Sequence, residues 1–358
     1  MICRIVVVFT SDDSGATMSL ADPDRMAREL YAATRQGAAS DELGEAVSRA
    51  LKAVAHDALY LAATCPAAGF GPESFSFWHA VEADLGRALL RDYHAGVHPY
   101  QPEDLAGLAV PAGVIGAGDR RVRRLFDAHG VGCELRMLLR DARGTWGTLG
   151  LLRTEGGRPF DGDDIARAAR SVPALAKVVR GYVTAGRLTP VIPAPPPGVV
   201  ILGPDHTIRS ATAQARALQG RMDGDHTSPD WVFRSFLSGL SMRARRAGAE
   251  PVVAFGPAAS YGRWMVCEAQ PLDGDATGDV AVIIQSADGE RLLPHFCDWY
   301  GITPRERQVI THLRDASAAK HIARRLGVSV YTVNDHLKAV YRKTGAGSHD
   351  ELLAAITN

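Results

Sequence analysis

Between residues 303 and 356, apolar positions recur at helical spacing in four short runs, each bounded by residues that start or stop a helix. Thr303, Pro304 and Glu306 fit the cap, first and third positions of the first run. There a threonine hydroxyl accepts from the third amide, and the glutamate reaches back to the cap amide. Ser317 is placed to cap a second helix, and Gly327 to end it in a left-handed conformation. Ser329 caps a third run that Gly345 closes. Ser348 and Glu351 repeat the Ser-x-x-Glu box for a fourth. The third run has two unlike faces. Val333, Leu337, Val340 and Tyr341 share one side and are expected to pack on Ile322, Leu326, Val309 and Leu313. Asn334, Asp335, Lys338 and Arg342 share the other.

Upstream the period changes repeatedly. Asp22-Pro23 is a cap-and-first-turn pair followed by Met26, Leu30 and Ala33, and a second helical run from Asp41 carries Leu43, Val47, Leu51 and Val54. Ala58–Cys65 and Ser74–Trp78 read as strands. Helices are expected near His79–Tyr93 and Asp119–His129. Glu134–Asp141 and Thr145–Thr154 are β-rich runs joined by Ala142-Arg143-Gly144, a hairpin pattern. A long helix over Phe160–Ala185 should turn Ile165, Ala168, Val172, Leu175, Val178 and Val179 inward, with Pro173 kinking or interrupting it.

Four of the last five residues of Leu188–Pro197 are proline, so this linker should be extended and semi-rigid. Beyond it, Gly198–Gly203 and His206–Ser210 read as strands about a turn at Pro204-Asp205-His206. Ala211–Arg221 and residues 229–247 read as helices. Pro251–Phe255, Gly262–Gln270 and Asp279–Gln285 are three closing strands. Arg291–Tyr300 then serves as a connecting helix whose length Pro294 should limit.

At 358 residues, two or three domains are expected, and 46% apolar content marks a core-forming, soluble chain. Net charge is zero, but its distribution is uneven. Residues 301–358 hold nine Lys/Arg against five Asp/Glu, or +4, which leaves −4 for the rest. A basic module on a slightly acidic body suits a nucleic-acid binder whose body stays off the nucleic acid. The five cysteines are widely spaced with no CxxC pair, so reduced thiols in a cytoplasmic protein are expected. Ile5–Phe9 is too short for a signal or membrane segment, and residues 1–17 are read as an uncertain leader with Met18 an alternative start. Asp12-Asp13 matches a receiver opening only superficially, since Asp57 follows a helical run and no later strand places a phosphoacceptor.

No phosphate-binding P-loop, HExxH, GxSxG or GxGxxG occurs, so no catalytic residue and no cofactor is assigned. His94 and His98 stand four apart without an evident third ligand, so no metal is assigned. Trp78, His79, Tyr93, Trp264 and Cys267 read as core before pocket. The basic runs at 120–124 and 243–246 read as solvated helix surface. His336 reads as a boundary residue at the edge of the third run.

Two helices joined by a glycine turn, the second presenting amide, acid and basic side chains on one face, form a helix-turn-helix pattern. Asn suits adenine, Lys guanine, and a carboxylate accepts from cytosine. Thr303-Pro304-Arg305-Glu306, Ile322-Ala323-x-x-Leu326-Gly327-Val328-Ser329, Thr332-Val333-x-x-His336-Leu337 and Lys343-x-Gly345 make this stretch resemble the LuxR-type (GerE-like) DNA-binding domain of bacterial transcription regulators. The resemblance implies base contacts at Asn334, Asp335 and Lys338. It implies phosphate contacts at Lys320, Ser329, Thr332, Arg342 and Lys343, and a dimer contact at Leu352, Leu353 and Ile356. Asp335 departs from the apolar or basic residue common in the family, so no operator sequence carries over.

The hairpin carrying Trp146-Gly147-x-Leu149-Gly150-Leu151, followed by Arg158-Pro159-Phe160, resembles the end of a GAF domain. The opening turn and three closing strands of the next unit resemble a PAS domain. The expected architecture is therefore multidomain α+β: an uncertain leader (1–17), a GAF-like sensory domain (18–187), a Pro-rich linker (188–197) and a smaller PAS-like domain (198–287). A connector (288–298) and an all-α four-helix LuxR-type domain (299–358) complete it. The expected function is sensor-controlled DNA binding by a cytoplasmic homodimer on double-stranded DNA, away from membranes. A small-molecule ligand or protein partner at the sensor domains is left open, as is contact with RNA polymerase. The rival readings are sensor domains acting only in protein interaction or dimerisation, and an enzyme fused to a DNA-binding domain.

Overall fold

The structure is a computed structural model, and it describes residues 23–35, 40–116, 118–224, 230–247, 250–272, 278–287, 289–315 and 318–357. The proposed leader and its alternative start at Met18 lie outside these residues. A first unit runs α1 (Pro23–Arg35), α2 (Ser40–Ala50), β1 (Ala58–Ala63), a 3-10 turn (Pro66–Ala68), β2 (Phe75–His79), α3 (Ala83–His94) and α4 (Pro102–Ala106). It continues with β3 (Ala112–Gly116), α5 (Arg123–His129), β4 (Val131–Asp141), β5 (Gly144–Thr154) and α6 (Gly162–Thr184). A second runs β6 (Gly198–Leu202), β7 (Ile208–Ala211), α7 (Ala213–Gly224), α8 (Asp230–Ala247), β8 (Val252–Gly256), α9 (Ala258–Tyr261), β9 (Met265–Pro271) and β10 (Val280–Ser286). Then follow α10 (Gly289–Trp299), α11 (Pro304–Arg314), α12 (Ala319–Leu326), α13 (Val330–Thr344) and α14 (His349–Thr357).

Each α+β unit holds one antiparallel sheet of five strands, ordered β2-β1-β5-β4-β3 and β7-β6-β10-β9-β8. Counted within its own unit, each sheet has the order 2-1-5-4-3, so the two share one wiring. In the first, side chains alternate between two buried faces. Leu59, Leu61, Leu135, Met137, Leu149 and Leu151 pack under α1, α2 and α6, while Tyr60, Ile115 and Leu152 pack under α3 and α5. On β4 the second buried face also carries the charged pair Glu134 and Arg136. The hairpin loop is tighter than expected, with Asp141 paired to Gly144. α4 and β3 were not foreseen. Pro102 and Gly113 within them, and Gly107 and Pro111 beside them, mask a periodic pattern.

Two proline expectations are corrected. α6 continues through Pro173 and α10 through Pro294. Pro173 is exposed, so water can satisfy the carbonyl that loses its helical donor. The 188–197 linker is docked: Val191 donates from its amide to Gly262 O at 2.8 Å, and Arg263 Nη1 donates to Ile192 O at 3.2 Å. The basic run 243–246 is only partly solvated. Arg243 donates to His94 Nδ1 and Phe70 O because α8 packs across α3, and Arg245 donates to Gly203 O within its own unit.

α10 joins all three parts. Arg291 pairs with Glu268 of β9, His295 lies 4.1 Å from the Phe255 ring, and Ala67 N donates to Asp298 Oδ2 at 2.5 Å. Trp299 packs on Phe75 and Trp146, and a Cβ at Gly289 would stand 2.2 Å from Ile356 O of α14. One buried core therefore runs from Met26 and Leu30 through Phe296 and Trp299 to Val309, Val333 and Ile356.

Burial, with Arg307 adding to it, pulls the His295 pKa down to about 4. The unfolded chain thus takes up a proton between its ordinary value near 6.5 and about 4 while the native state does not. Stability should fall as pH drops through that window, by up to about 3 kcal/mol from this residue. Urea denaturation across the window checks this, and His295→Asn should flatten the decline.

Candidate nucleic-acid interface

The terminal helices are set by local hydrogen bonds that the sequence spacing foreshadows. Glu306 N donates to Thr303 Oγ1 at 3.3 Å, and Thr303 N donates to Glu306 Oε2 at 2.7 Å. Gly327 and Gly345 end α12 and α13 with φ of 64° and 75°, where other residues are strained. Thr332 N donates to Ser329 Oγ at 3.0 Å at the start of α13. Two details differ from expectation. Ser317 lies outside the described residues, and Ala318 occupies the cap of α12 without a side-chain bond. At α14, Glu351 N donates to Ser348 Oγ, but the Glu351 carboxylate accepts from Gly347 N, one residue earlier than a closed box requires.

α13 packs against α11 and α12 through one face. Val333 and Val340 are fully buried, and Leu337 and Tyr341 half-buried. Asn334, Asp335, Lys338 and Arg342 are all exposed on the opposite face. Lys338 Nζ sits 3.7 Å from Asp335 Oδ1, an exposed pair that water screens and that holds neither group firmly. Tyr331 was missed by sequence reasoning. It precedes Asn334, Asp335 and Lys338 by three, four and seven residues, so it shares their face, and it is 73% exposed. The same helical period applied one turn earlier would have found it.

The expected phosphate contacts are divided. Lys320, Ser329 and Arg342 are exposed and Thr332 is half-buried, its Oγ1 2.9 Å from Ser329 Oγ. Lys343 is turned away: its Nζ donates to Glu306 Oε2 at 2.6 Å. Burial pushes the Glu306 carboxyl up, but the Lys343 hydrogen bond and the Thr303 amide outweigh that and hold it below the ordinary carboxylate range. Lys343 therefore completes the α11 cap in this arrangement.

The expected dimer contact is divided too. Leu352 and Ile356 are fully buried within the chain, where α14 meets α10 and α11, and Leu353 is half-buried. Two of the three residues expected at the interface are thus buried within the chain itself.

In the first unit, His94 and His98 are buried but serve different neighbours. His94 faces Glu73 and Arg243, whereas His98 faces Glu134, Arg136 and Pro99 O. Trp78 is buried against Tyr60 and Trp231. Tyr93 lines a cavity of about 30 Å³ with Thr64, Glu73 and Thr148. Burial pushes the Glu73 carboxyl up, but His94 and Arg243 outweigh it and hold the pKa at about 2. Among the described residues, no group of three His, Cys, Asp or Glu could hold a metal, and no helix is long and apolar enough to cross a membrane.

Residues 301–355 match the family of bacterial regulatory proteins of the luxR type. The C-terminal domain is a LuxR-family helix-turn-helix. HTH-type transcriptional regulators of Mycobacterium bovis and Mycobacterium tuberculosis are each 37% identical to the chain over 78 residues, 22% of this chain. That match spans 9% of the length of those relatives. Among solved structures, the N-acylhomoserine-lactone-dependent LuxR family transcription factor CepR2 from Burkholderia cenocepacia is similar at 14% identity. It covers 44% of this chain and 92% of that one, with a TM-score of 0.29. SdiA in complex with octanoyl-rac-glycerol is similar at 11% identity over 94% of this chain and 96% of that one, with a TM-score of 0.33. Within the matched residues, α12 and α13 are joined by the turn at Gly327.

Proposed function

We propose that the chain is a DNA-binding transcription regulator acting in the cytoplasm, with α13 entering the major groove. The observation that carries this is the undivided polar face of α13, where Asn334, Asp335, Lys338 and Arg342 stand exposed opposite a buried apolar stripe. Asn334, Asp335 and Lys338 read base edges, and Tyr331 offers its ring to a thymine methyl or sugar. Lys320, Ser329, Thr332 and Arg342 lie along phosphates, while Lys343 orients the α11 cap beneath them. A single module makes a small interface, on the order of 600–1,000 Å². Specific binding therefore calls for a homodimer on a two-fold site with half-sites about one helical turn apart.

The two α+β units act as GAF-like (18–187) and PAS-like (198–287) control domains, followed by the α10 connector and the LuxR-type domain. Leu352 and Ile356 become available for dimerisation only if α14 leaves α10, so a signal that loosens this contact raises the competent fraction. A ligand, or a protein partner such as RNA polymerase, could supply the differential contacts.

Two substitutions test the orientation of α13. Arg342→Ala should weaken binding on all duplexes and flatten the logarithmic salt dependence by about one unit. An unchanged slope removes it from the phosphate contacts. Asp335→Ala should erase a preference for cytosine at one position in competition binding. A uniform gain in affinity on every sequence would instead mean that Asp335 only repels the backbone.

A further inference from the structure

Arg180 of α6 is a half-buried guanidinium without an acidic partner. It makes no hydrogen bond or ion pair among the described residues, and its Nε is closed off from solvent with no partner. Burial lowers its pKa, the adjacent Arg143 adds to that, and Asp141 and Asp298 oppose it. A desolvated cation beside a second cation is unfavourable unless an anion stands close. Arg143 comes from the β4–β5 turn, and the two guanidinium carbons lie 5.3 and 4.9 Å from the Trp146 ring centre.

Both head groups converge on Gly301. The point where a Cβ would stand there lies 3.1 Å from Arg180 Nη2 and 3.4 Å from Arg143 Nη1, and no other atom outside the adjoining residues comes within 4 Å. Gly301 has φ of 69°, so the backbone itself favours glycine and keeps this space open. The acids nearby are committed. Asp298 accepts from Ala67 N at 2.5 Å and stands 3.8 Å from Arg143, and Asp141 accepts from Arg143 N. Arg307 of α11 adds a third positive charge acting on Asp298. The indole N–H groups of Trp146 and Trp299 are buried without partners as well, so donors are in surplus at this junction.

We propose that Arg143, Arg180 and the open notch at Gly301 form a binding site for a small, doubly charged oxyanion of the phosphate class. The site lies where α10 hands the chain to the LuxR-type domain, two residues before the Thr303 cap. An anion held there ties the hairpin and α6 to the entry of α11. It favours the docked arrangement and, by linkage, opposes any arrangement in which the domain swings away. That consequence for DNA rests on the function proposed above. The site itself does not.

The test uses the full chain and titrates inorganic phosphate, pyrophosphate and glycerol phosphate against chloride at matched ionic strength. Thermal unfolding and tryptophan fluorescence are the readouts. A saturable rise in Tm with a fluorescence change is expected. Both should be lost in Arg180→Gln and Arg143→Gln and kept in Arg91→Gln, an exposed arginine of α3. A stronger response to glycerol phosphate than to free phosphate identifies an esterified group as the ligand. A response no larger than that of chloride, or one retained in Arg180→Gln, overturns the proposal. If Arg180→Gln does not fold, Arg143→Gln at the exposed turn decides. In a second arm, saturating anion should change DNA affinity in the wild type and not in Arg143→Gln. If only this arm fails, the site stands and its coupling to DNA is wrong. If the chain binds no DNA at all, the proposed function fails and the first arm still judges the site.

Discussion

Glu134→Ala is expected to destabilise the first unit by about 3–5 kcal/mol, the usual consequence of stripping a buried ion pair of one partner. Glu134 and Arg136 are 0% and 1% exposed and lie on the α3 side of β4. One carboxylate oxygen accepts from Arg136 Nε at 2.9 Å and from the Tyr60 hydroxyl at 2.6 Å, and the other lies 3.4 Å from His98 Nε2. Arg136 has few alternatives. It also donates to the Tyr60 oxygen at 3.0 Å and to Pro99 O at 3.4 Å, both neutral acceptors. Burial pushes the Glu134 carboxyl up, but Arg136 and His98 outweigh it and hold it below the ordinary range. Its contribution is thus present above the unfolded-state carboxyl pKa and is lost as pH falls below it. The large single-mutant effect reflects the stranded guanidinium more than the worth of the pair. Glu134→Leu combined with Arg136→Met should therefore recover most of the loss in a urea double-mutant cycle. A Glu134→Ala loss under about 1 kcal/mol would show that the cluster is hydrated.

Trp299→Ala should cost a similar amount, about 3–5 kcal/mol, because the indole is 1% exposed and its loss leaves a cavity in the shared core. Its effect should also be distributed. Trp299 packs on Phe75 of β2 and Trp146 of β5, and it closes the helix that carries α14 on its opposite end. Calorimetry of the wild type should give one main transition linking the first unit to the LuxR-type domain. In Trp299→Ala the terminal domain should unfold separately, and protease should cut near Gly301. Trp299→Phe should restore a single transition. Independent unfolding already in the wild type would mean that the continuous core does not couple the parts.

Much of this architecture is legible in the sequence because its cues are local. Thr303 with Glu306, Ser329 with Thr332, and the glycines at 327 and 345 fix helix ends through bonds within three residues. The hairpin across 131–154 shows in its β-branched and leucine-rich runs. The shared exposed face of α13 follows from spacing alone, since Asn334, Asp335 and Lys338 need only the helical period to align. What stays illegible depends on distant partners. Lys343 reads as a phosphate contact until Glu306, 37 residues away, is seen to hold it. Leu352 and Ile356 stand as a dimer contact by resemblance until the fold is seen to bury both within the chain. Arg243 reads as a solvated helix end until α8 lies across α3 and brings it to His94. Arg180 is one apparently solvated residue among many, and only its placement beside Arg143 and Gly301 reveals a charge lacking a counterpart.

The most direct test of the central claim is selection from a random duplex library with the purified full chain, run in parallel with Lys338→Ala. The account predicts enrichment of a two-fold sequence with half-sites about one helical turn apart. It predicts that Lys338→Ala loses about 1–3 kcal/mol on the selected duplex and relaxes the choice at one base pair per half-site. Failure to enrich any sequence, or an identical selected sequence with unchanged affinity in Lys338→Ala, would contradict the assignment of α13 as the reading helix.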